Sequence, residues 1–423
     1  MPHLSLLDKL PDRSGLDRLW HILPQARLVG GSVRDLLIGR DAVHDLDLAT
    51  PEPPETVQAL FEAAGIKTIP TGLAHGTVTA LIDHVPYEIT TLRRDVQTNG
   101  RHAEVAWTTD WQEDAARRDF TINALFCDRH GDIHDYFGGV EDLAAHHVRF
   151  VGDAARRIEE DALRILRFFR FQARFGGTGP QDRPDAEAIR AITSHAALID
   201  GLSAERVASE ILRILTGPNL MRSLHLMADT GILPRLLPSA DLPRLARALD
   251  ADVPPDDILR LGLLADTPDL AERLRLSGRQ AQRLDRMSPS TPLHGFDVQG
   301  YETQNPLILA PSLGDHALRM LLSCHDRQTL TDRSWFAQAE RIADVSSKAW
   351  NTLRDRLAQL ERPVFPLAGR DVMAAGVRPG PAIGETLAHL AAWWRSQGCL
   401  PDRMDCLAEL KTRLPLSSQG AGG

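Results

Sequence analysis

Residues 27–50, RLVGGSVRDLLIGRDAVHDLDLAT, constrain the fold more than any other stretch, because a β-rich run meets two glycines, a short amphipathic segment and a second β-rich run in quick succession. The pattern predicts a strand at Arg27 to Val29, a tight turn at Gly30-Gly31 and a short helix from Ser32 to Ile38, with Ser32 placed to cap its first amides. A glycine turn feeding a helix start leaves backbone N–H groups and the positive end of the helix dipole exposed, an arrangement that suits a triphosphate. Gly31 and Ser32 then bring main chain to the phosphates, and Arg34, one turn in, adds a bidentate contact. Alone, such a turn is common and most examples bind nothing.

The acidic pair that follows sharpens the pattern. Alternate residues of a strand face the same way, so in HDLDLAT Asp45 and Asp47 project together while Leu46 and Leu48 enter the core. Two carboxylates that close repel each other unless something positive offsets them. A pair of divalent cations about 3.5–4 Å apart does so in two-metal phosphoryl transfer, one activating an attacking hydroxyl and the other clamping the triphosphate. Asp45 and Asp47 are therefore the expected metal ligands and catalytic carboxylates, with Glu88 on YEITTL as a candidate third. The alternatives are a strand with a wet acidic face and an exposed glutamate on a hairpin edge.

The rest of the chain bounds these readings. At 423 residues, two to four domains are expected. Apolar residues make up 43% and charged residues 25%, the balance of an ordinary globular protein. No apolar run reaches membrane-spanning length, and MPHLSLLDKLPDRSG carries acids and a proline where a secretory signal needs an apolar stretch, so no membrane partner and a cytoplasmic location are expected. Four cysteines without Cys-x-x-Cys spacing fit reduced thiols and indicate no zinc site. The net charge of −9 argues against indiscriminate coating of nucleic acid and asks for a local basic face instead. Arginine outnumbers lysine 44 to four, but a genome-wide codon bias gives the same composition.

Residues 26–128 read as mixed α/β, with ARLVG, HDLDLAT, GTVTALI and YEITTL as strands and PETVQALFEAAG as a helix. From about residue 141 the pattern turns helical almost without interruption, through EDLAAHHVRF, AARRIEEDALRILRFFRFQARF, AERVASEILRIL, LMRSLHLMADTGIL and DILRLGLLA. Gly, Pro and Asn clusters such as GGTGPQDRP and LTGPN punctuate it. The segment from Pro366 to Trp394 follows a proline-flanked break at Arg362-Pro363 and reads as a small terminal module.

GGSVRDLLIG with DLD resembles the first motif of the nucleotidyltransferase superfamily, in particular the class II tRNA CCA-adding enzymes and the related bacterial poly(A) polymerases. The resemblance continues through GLAHGTVTAL, YEITTLRRD, NGRHAEV, RRDFTINAL, DYFGGVEDL, the base-selecting motif within RIEEDALRILRFFRFQARF, and AERVASEILRIL. It covers residues 27–215, and PGPAIG is similar to the family's tail. One departure stands out: eleven residues separate Arg34 from Asp45 where the family pattern has ten, so RDAVH carries one extra. The resemblance implies an α+β fold, a nucleotidyltransferase head with a mixed β-sheet followed by an all-helical neck, body and tail. Its divisions fall at 1–145 (catalytic head), 146–220 (neck), 221–360 (body, contacting tRNA) and 361–423 (tail).

By the same resemblance, Arg118, Asp119 and Asn123 touch the nucleotide's sugar and phosphates, and Arg167 and Arg170 hold its base or triphosphate. The Asn and Asp could equally be caps at a strand-to-helix transition. Helical spacing adds an independent argument, because Asp161, Arg164 and Arg167 at intervals of three line one wall while Arg170 drifts round. A carboxylate only accepts hydrogen bonds and a guanidinium only donates them. Cytosine and adenine both present an exocyclic amine beside a ring acceptor, so an Asp161–Arg164 pair accepts C and A and rejects U and G. The alternative is a surface ion-pair helix, against which Phe168, Phe169 and Phe171 leave little solvated face.

The implied reaction is template-independent addition of C, C and A to the 3′ end of tRNA from CTP and ATP, with magnesium (Mg2+) as cofactor and the acceptor arm of tRNA as partner. Poly(A) polymerase, partial CC-adding or A-adding enzymes, and a non-catalytic RNA-binding relative remain as rival readings.

Overall fold

The computed structural model describes residues 6–10, 12–39, 46–72, 76–99, 102–179, 182–291, 293–297, 299–306, 309–340 and 346–413. The chain divides into two units, Met1–Pro238 and Ser239–Gly423.

The first unit opens with helix α1 (Ser14–Ile22), followed by β1 (Arg27–Val29), α2 (Gly31–Leu37), β2 (Asp47–Thr50) and α3 (Pro54–Ala63). Proline at its first position starts α3 without loss of a hydrogen bond, and Val57 and Phe61 bury one face of it. Strands β3 (Lys67–Gly72), β4 (Thr77–Ile82) and β5 (Val85–Thr91) form a meander, and β8 (Leu125–Cys127) and β9 (Ile133–Asp135) complete a seven-stranded sheet of order β3-β4-β5-β2-β1-β8-β9, taking β6 (Arg93–Asn99) and β7 (His102–Trp107) as a separate hairpin. Only β2 and β5 run parallel; every other neighbouring pair in the sheet is antiparallel. The expected alternation holds where it matters: Leu46 and Leu48 are buried in the head core with Leu28, Val33, Phe61 and Ile89, while Asp47 is exposed.

Helices dominate the remainder of this unit: α4 (Trp111–Ala116) precedes β8, and α5 (Gly139–Ala144), α6 (Ala154–Glu160), α7 (Leu163–Phe175), α8 (Ala186–Ser194), α9 (Ala204–Leu215), α10 (Leu220–Asp229) and α11 (Ile232–Leu236) follow β9. Three expected helices are interrupted. EDLAAHHVRF is helical only to Ala144, and Phe150 instead bridges to Phe120. The run through ADTGIL breaks at Gly231, whose φ of 75° belongs to the left-handed region. The long arginine-rich run breaks at Asp161, which is extended (φ −156°, ψ 106°) and whose Oδ1 accepts the Leu163 N–H at 3.1 Å. That local hydrogen bond is the alternative to the helical ladder that makes Asp a better cap than an interior residue.

An aromatic cluster fixes α7 to the head. Phe120 lies 4.9 Å from Phe150 and 5.1 Å from Phe171, and Phe150 stacks with Phe168 at 5.9 Å, all buried. Each such pair contributes about 0.5–1.5 kcal/mol beyond the area it buries, so the helix carrying Arg164 and Arg167 has little freedom to shift.

The second unit is helical with one departure from the all-helical expectation, a hairpin of His294–Phe296 against Glu302–Pro306. Its turn is built by Asp297, whose Oδ1 accepts the Gln299 and Tyr301 N–H groups, and by Gly300 at φ 81°. Trp350 anchors one core cluster of this unit, and Leu367, Val372, Leu390, Trp394, Cys406 and Leu410 form another around the terminal helices. The four cysteines are unpaired, and among the described residues no helix is long and apolar enough to cross a membrane.

Candidate active site

The chain passes from β1 into α2 through Gly30, and only glycine fits there. Its φ is 63°, and a Cβ would stand 3.3 Å from both the Arg118 guanidinium and the Asn123 carbonyl. Helix α2 begins at Gly31, one residue earlier than expected, with Gly30 at the cap position and no side chain capping it. Ser32 is therefore not the cap. It is buried inside the first turn, and its Oγ accepts the backbone N–H of Asp47 at 2.9 Å, tying the helix to the strand that carries the acid.

Arg34 lies on the same wall, with its guanidinium already engaged: it donates to Asn123 Oδ1 and to Asp35 at 2.9 Å, and packs 4.4 Å above the Phe175 ring. Asn123 passes this on by donating from Nδ2 to Asp119 Oδ1 at 3.0 Å, so it links two charged residues and caps nothing.

Asp47 stands at the start of β2, exposed, and lines a cleft of about 520 Å³ together with Gly30, Gly31 and Arg34. The parallel register sets Asp47 beside Glu88 on β5, also exposed, so two carboxylates share one end and one face of the sheet. Glu88 is not among the residues lining the cleft. Asp45 and the RDAVH turn with its additional residue fall outside the described residues, among which no group of three potential metal ligands converges. Carboxylate oxygens are the donors that hard cations such as magnesium take, so the chemistry of Asp47 and Glu88 fits such an ion.

A buried acid organises the facing wall. Asp114, 1% exposed, binds Arg117 at 2.8 Å and Arg118 at 2.9 Å. Burial opposes its ionisation, but the two guanidiniums outweigh burial and hold its carboxyl below the usual range. Asp119 is governed in the same way: burial raises its pKa, and Arg167 at 2.6 Å, Asn123 and the Phe120 N–H overcome that and lower it. The same pair raises Arg167 against the cost of its own burial.

The stretch from Asp161 to Arg206 supplies the rest of the lining. Asp161, Arg164 and Arg167 do line the cleft, but by a different route from a single helical arc, because Asp161 reaches in from the break between α6 and α7. Its Oδ2 accepts from Arg206 Nη2 at 2.7 Å. Arg164 donates to Glu160 at 2.6 Å and to the carbonyls of Arg157 and Arg117. Arg170 is not brought to the cleft. It pairs with buried Glu210 at 3.1 Å, and burial brings its pKa down to about 10 despite that partner.

Two cleft residues escape the sequence reading. Arg117 and Arg206 both line the cavity, which thus carries six arginines and three aspartates, with Arg34, Arg117, Arg118 and Arg164 also paired to Asp35, Asp114 and Glu160 outside the lining. Arg117 was legible as the first residue of RRDFTINAL. Arg206 lies within AERVASEILRIL, but its meeting with Asp161 across 45 positions of sequence leaves no local signal.

A glycine turn into a helix, a strand-end carboxylate and a charged helical wall around one cleft, on a sheet that leads into helices, make the arrangement of a nucleotidyltransferase. The family model of the Poly A polymerase head domain matches residues 26–149, and that of the probable RNA and SrmB-binding site of polymerase A matches 183–242. The mitochondrial CCA tRNA nucleotidyltransferase 1 of Mus musculus is 34% identical over 399 residues, 92% of this chain and 86% of that protein. The CCA-adding enzyme of Latilactobacillus sakei is 32% identical over 378 residues, 86% of this chain and 88% of its own. The crystal structure of the Bacillus stearothermophilus CCA-adding enzyme in complex with CTP superposes with a TM-score of 0.71 at 26% identity, covering 96% of this chain and 98% of that one. The chain belongs to the family of CCA-adding tRNA nucleotidyltransferases.

Proposed function

We propose that this protein adds C, C and A to the 3′ end of tRNA without a nucleic-acid template, using CTP and ATP and releasing pyrophosphate. The observation that carries the proposal is that Asp161, Arg164 and Asp47 line one cleft, so the residues read as base reader and catalytic carboxylate share one space. The names of the relatives, which include tRNA and the CCA sequence, and the CTP bound to the Bacillus stearothermophilus enzyme support it.

In this reading Asp161 accepts the exocyclic amine of C or A and Arg164 donates to the adjoining ring nitrogen, whereas U and G leave both groups mismatched. Gly31 and the first-turn N–H groups of α2 receive the triphosphate, with Arg118 and Arg167 adding positive charge around it. Asp119 and Asn123 act by holding Arg167 and Arg34 in place. The tRNA 3′ oxygen bonds to the α-phosphorus as the bond to the β-phosphate oxygen breaks and pyrophosphate leaves. Magnesium held by Asp45 and Asp47, with Glu88 adjacent, would activate that hydroxyl and neutralise the phosphates.

Residues 1–145 serve as head and 146–220 as neck, while 221–360 and 361–423 form a body and tail that grip the acceptor arm by shape and phosphates. The cytoplasm is the assigned location, supported by the unpaired cysteines. The test offers the protein magnesium, each nucleotide and tRNA ending before, within and after CCA, followed by sequencing of the 3′ ends. Growth to CCA and arrest there is expected. A run of A identifies a poly(A) polymerase, CC or A alone identifies a partial enzyme, and no growth removes the catalytic reading.

A further inference from the structure

A carboxylate and a guanidinium three residues apart, as Asp161 and Arg164 are, would ordinarily pair with each other and leave no hydrogen-bonding capacity for a base. The structure keeps them apart by giving each a different partner. Arg164 is drawn to Glu160 at 2.6 Å and to two backbone carbonyls, and Asp161 is drawn the other way, to Arg206 at 2.7 Å. The break at Asp161 makes this possible, because the residue is extended between α6 and α7 and its carboxylate spans the Leu163 N–H at the start of α7 and Arg206 on α9.

Resting on the base-reading role assigned above to Asp161, we infer that Arg206 is a positioning residue that sets the nucleotide selectivity of the cleft. Asp161 Oδ1 is held by the Leu163 N–H and Oδ2 by Arg206 Nη2, which fixes the plane of the carboxylate. Each carboxylate oxygen has two acceptor directions, so one on each remains for an incoming amine. Arg206 comes from the first turn of α9, a separate helix packed on α7, and therefore constrains Asp161 from outside the segment that reads the base. Its side chain is 27% exposed and itself lines the cleft, so its loss leaves the buried core intact. Without it, one oxygen of Asp161 is released to rotate toward Arg164, and the acceptor and donor cancel.

The test measures kcat/KM for each of the four nucleotides, on tRNA ending before CCA and on tRNA ending in CC, for the wild type, Arg206→Ala, Arg206→Lys and, as a control on the underlying reading, Asp161→Ala. Misplacing a binding group costs about 10-fold or more in rate. Arg206→Ala is expected to lower kcat/KM for ATP and CTP by at least that factor while UTP and GTP stay level or rise, and Arg206→Lys to restore part of the discrimination, with thermal midpoints close to wild type. The Arg206→Ala effect should vanish in an Asp161→Ala background. An equal fall for all four nucleotides, or an unchanged ratio, overturns the role of Arg206. Unchanged selectivity in Asp161→Ala overturns the base-reading assignment itself, so the two failures are distinguishable.

Discussion

The backbone N–H of Asp47 donates to Ser32 Oγ at 2.9 Å, joining the first turn of α2 to the first residue of β2. Through this bond the first turn of α2 and the strand bearing the carboxylate are tied at one spacing. Ser32→Ala removes the acceptor, and leaving an N–H unsatisfied costs about 1–3 kcal/mol. A lower thermal midpoint together with a reduced kcat at nearly unchanged nucleotide KM is expected; loss of neither shows that the loop alone sets the spacing.

Asp47→Ala should abolish incorporation while tRNA binding, measured by filter retention, stays within about threefold of wild type, because the proposed grip on the acceptor arm is spread over phosphate contacts that do not involve Asp47. Glu88→Gln, at the neighbouring register position, should reduce kcat by less than Asp47→Ala does. Robust incorporation by Asp47→Ala would remove the carboxylate from the chemistry.

Gly30→Ala introduces a Cβ at φ 63°, 3.3 Å from the Arg118 guanidinium and the Asn123 carbonyl. Strain of about 1–3 kcal/mol is expected. Because the displaced groups belong to the cleft, nucleotide KM should rise together with the loss of thermal stability. A variant destabilised with unaltered KM would confine Gly30 to a role in the fold.

The strand, turn, helix and strand of 27–50 were legible because glycine conformation and alternating burial are local properties, and Leu46 and Leu48 go inward with Asp47 outward as that alternation requires. The break at Asp161 was hidden because apolar periodicity continues on both sides of it, through Ile158 in α6 and Ile165, Leu166 and Phe169 in α7, and the eye joins the two stretches into one helix. The partners of the site were invisible for another reason: Ser32 meets Asp47, Arg34 meets Asn123 and Arg206 meets Asp161 across long separations that only the folded chain closes. Arg170 shows the converse, since the resemblance assigned it to the base or triphosphate with Arg167 and a buried glutamate on another helix took it.

Acid should act through Asp114 and Asp119. Both have folded pKa values lowered from the ordinary 3.8 in spite of burial, so each contributes stability that is fully present above that value and lost as pH falls through the lower folded one. Thermal midpoints are therefore expected to change little between about pH 7 and 5 on account of these groups and to fall steeply below about 4. Asp114→Asn leaves two guanidiniums facing a neutral amide, at a cost of about 3–5 kcal/mol for a broken buried pair, and should flatten the acid limb. An acid limb identical to that of wild type would assign the transition to other carboxylates.

The most direct test of the central claim, that side chains of the neck take the place of a template, is competition among all four nucleotides at a tRNA ending in CC, comparing the wild type with Arg164→Ala by sequencing the added residue. The wild type should exclude U and G, and Arg164→Ala should admit both at levels approaching that of A. Undiminished preference for A in the variant would contradict the account.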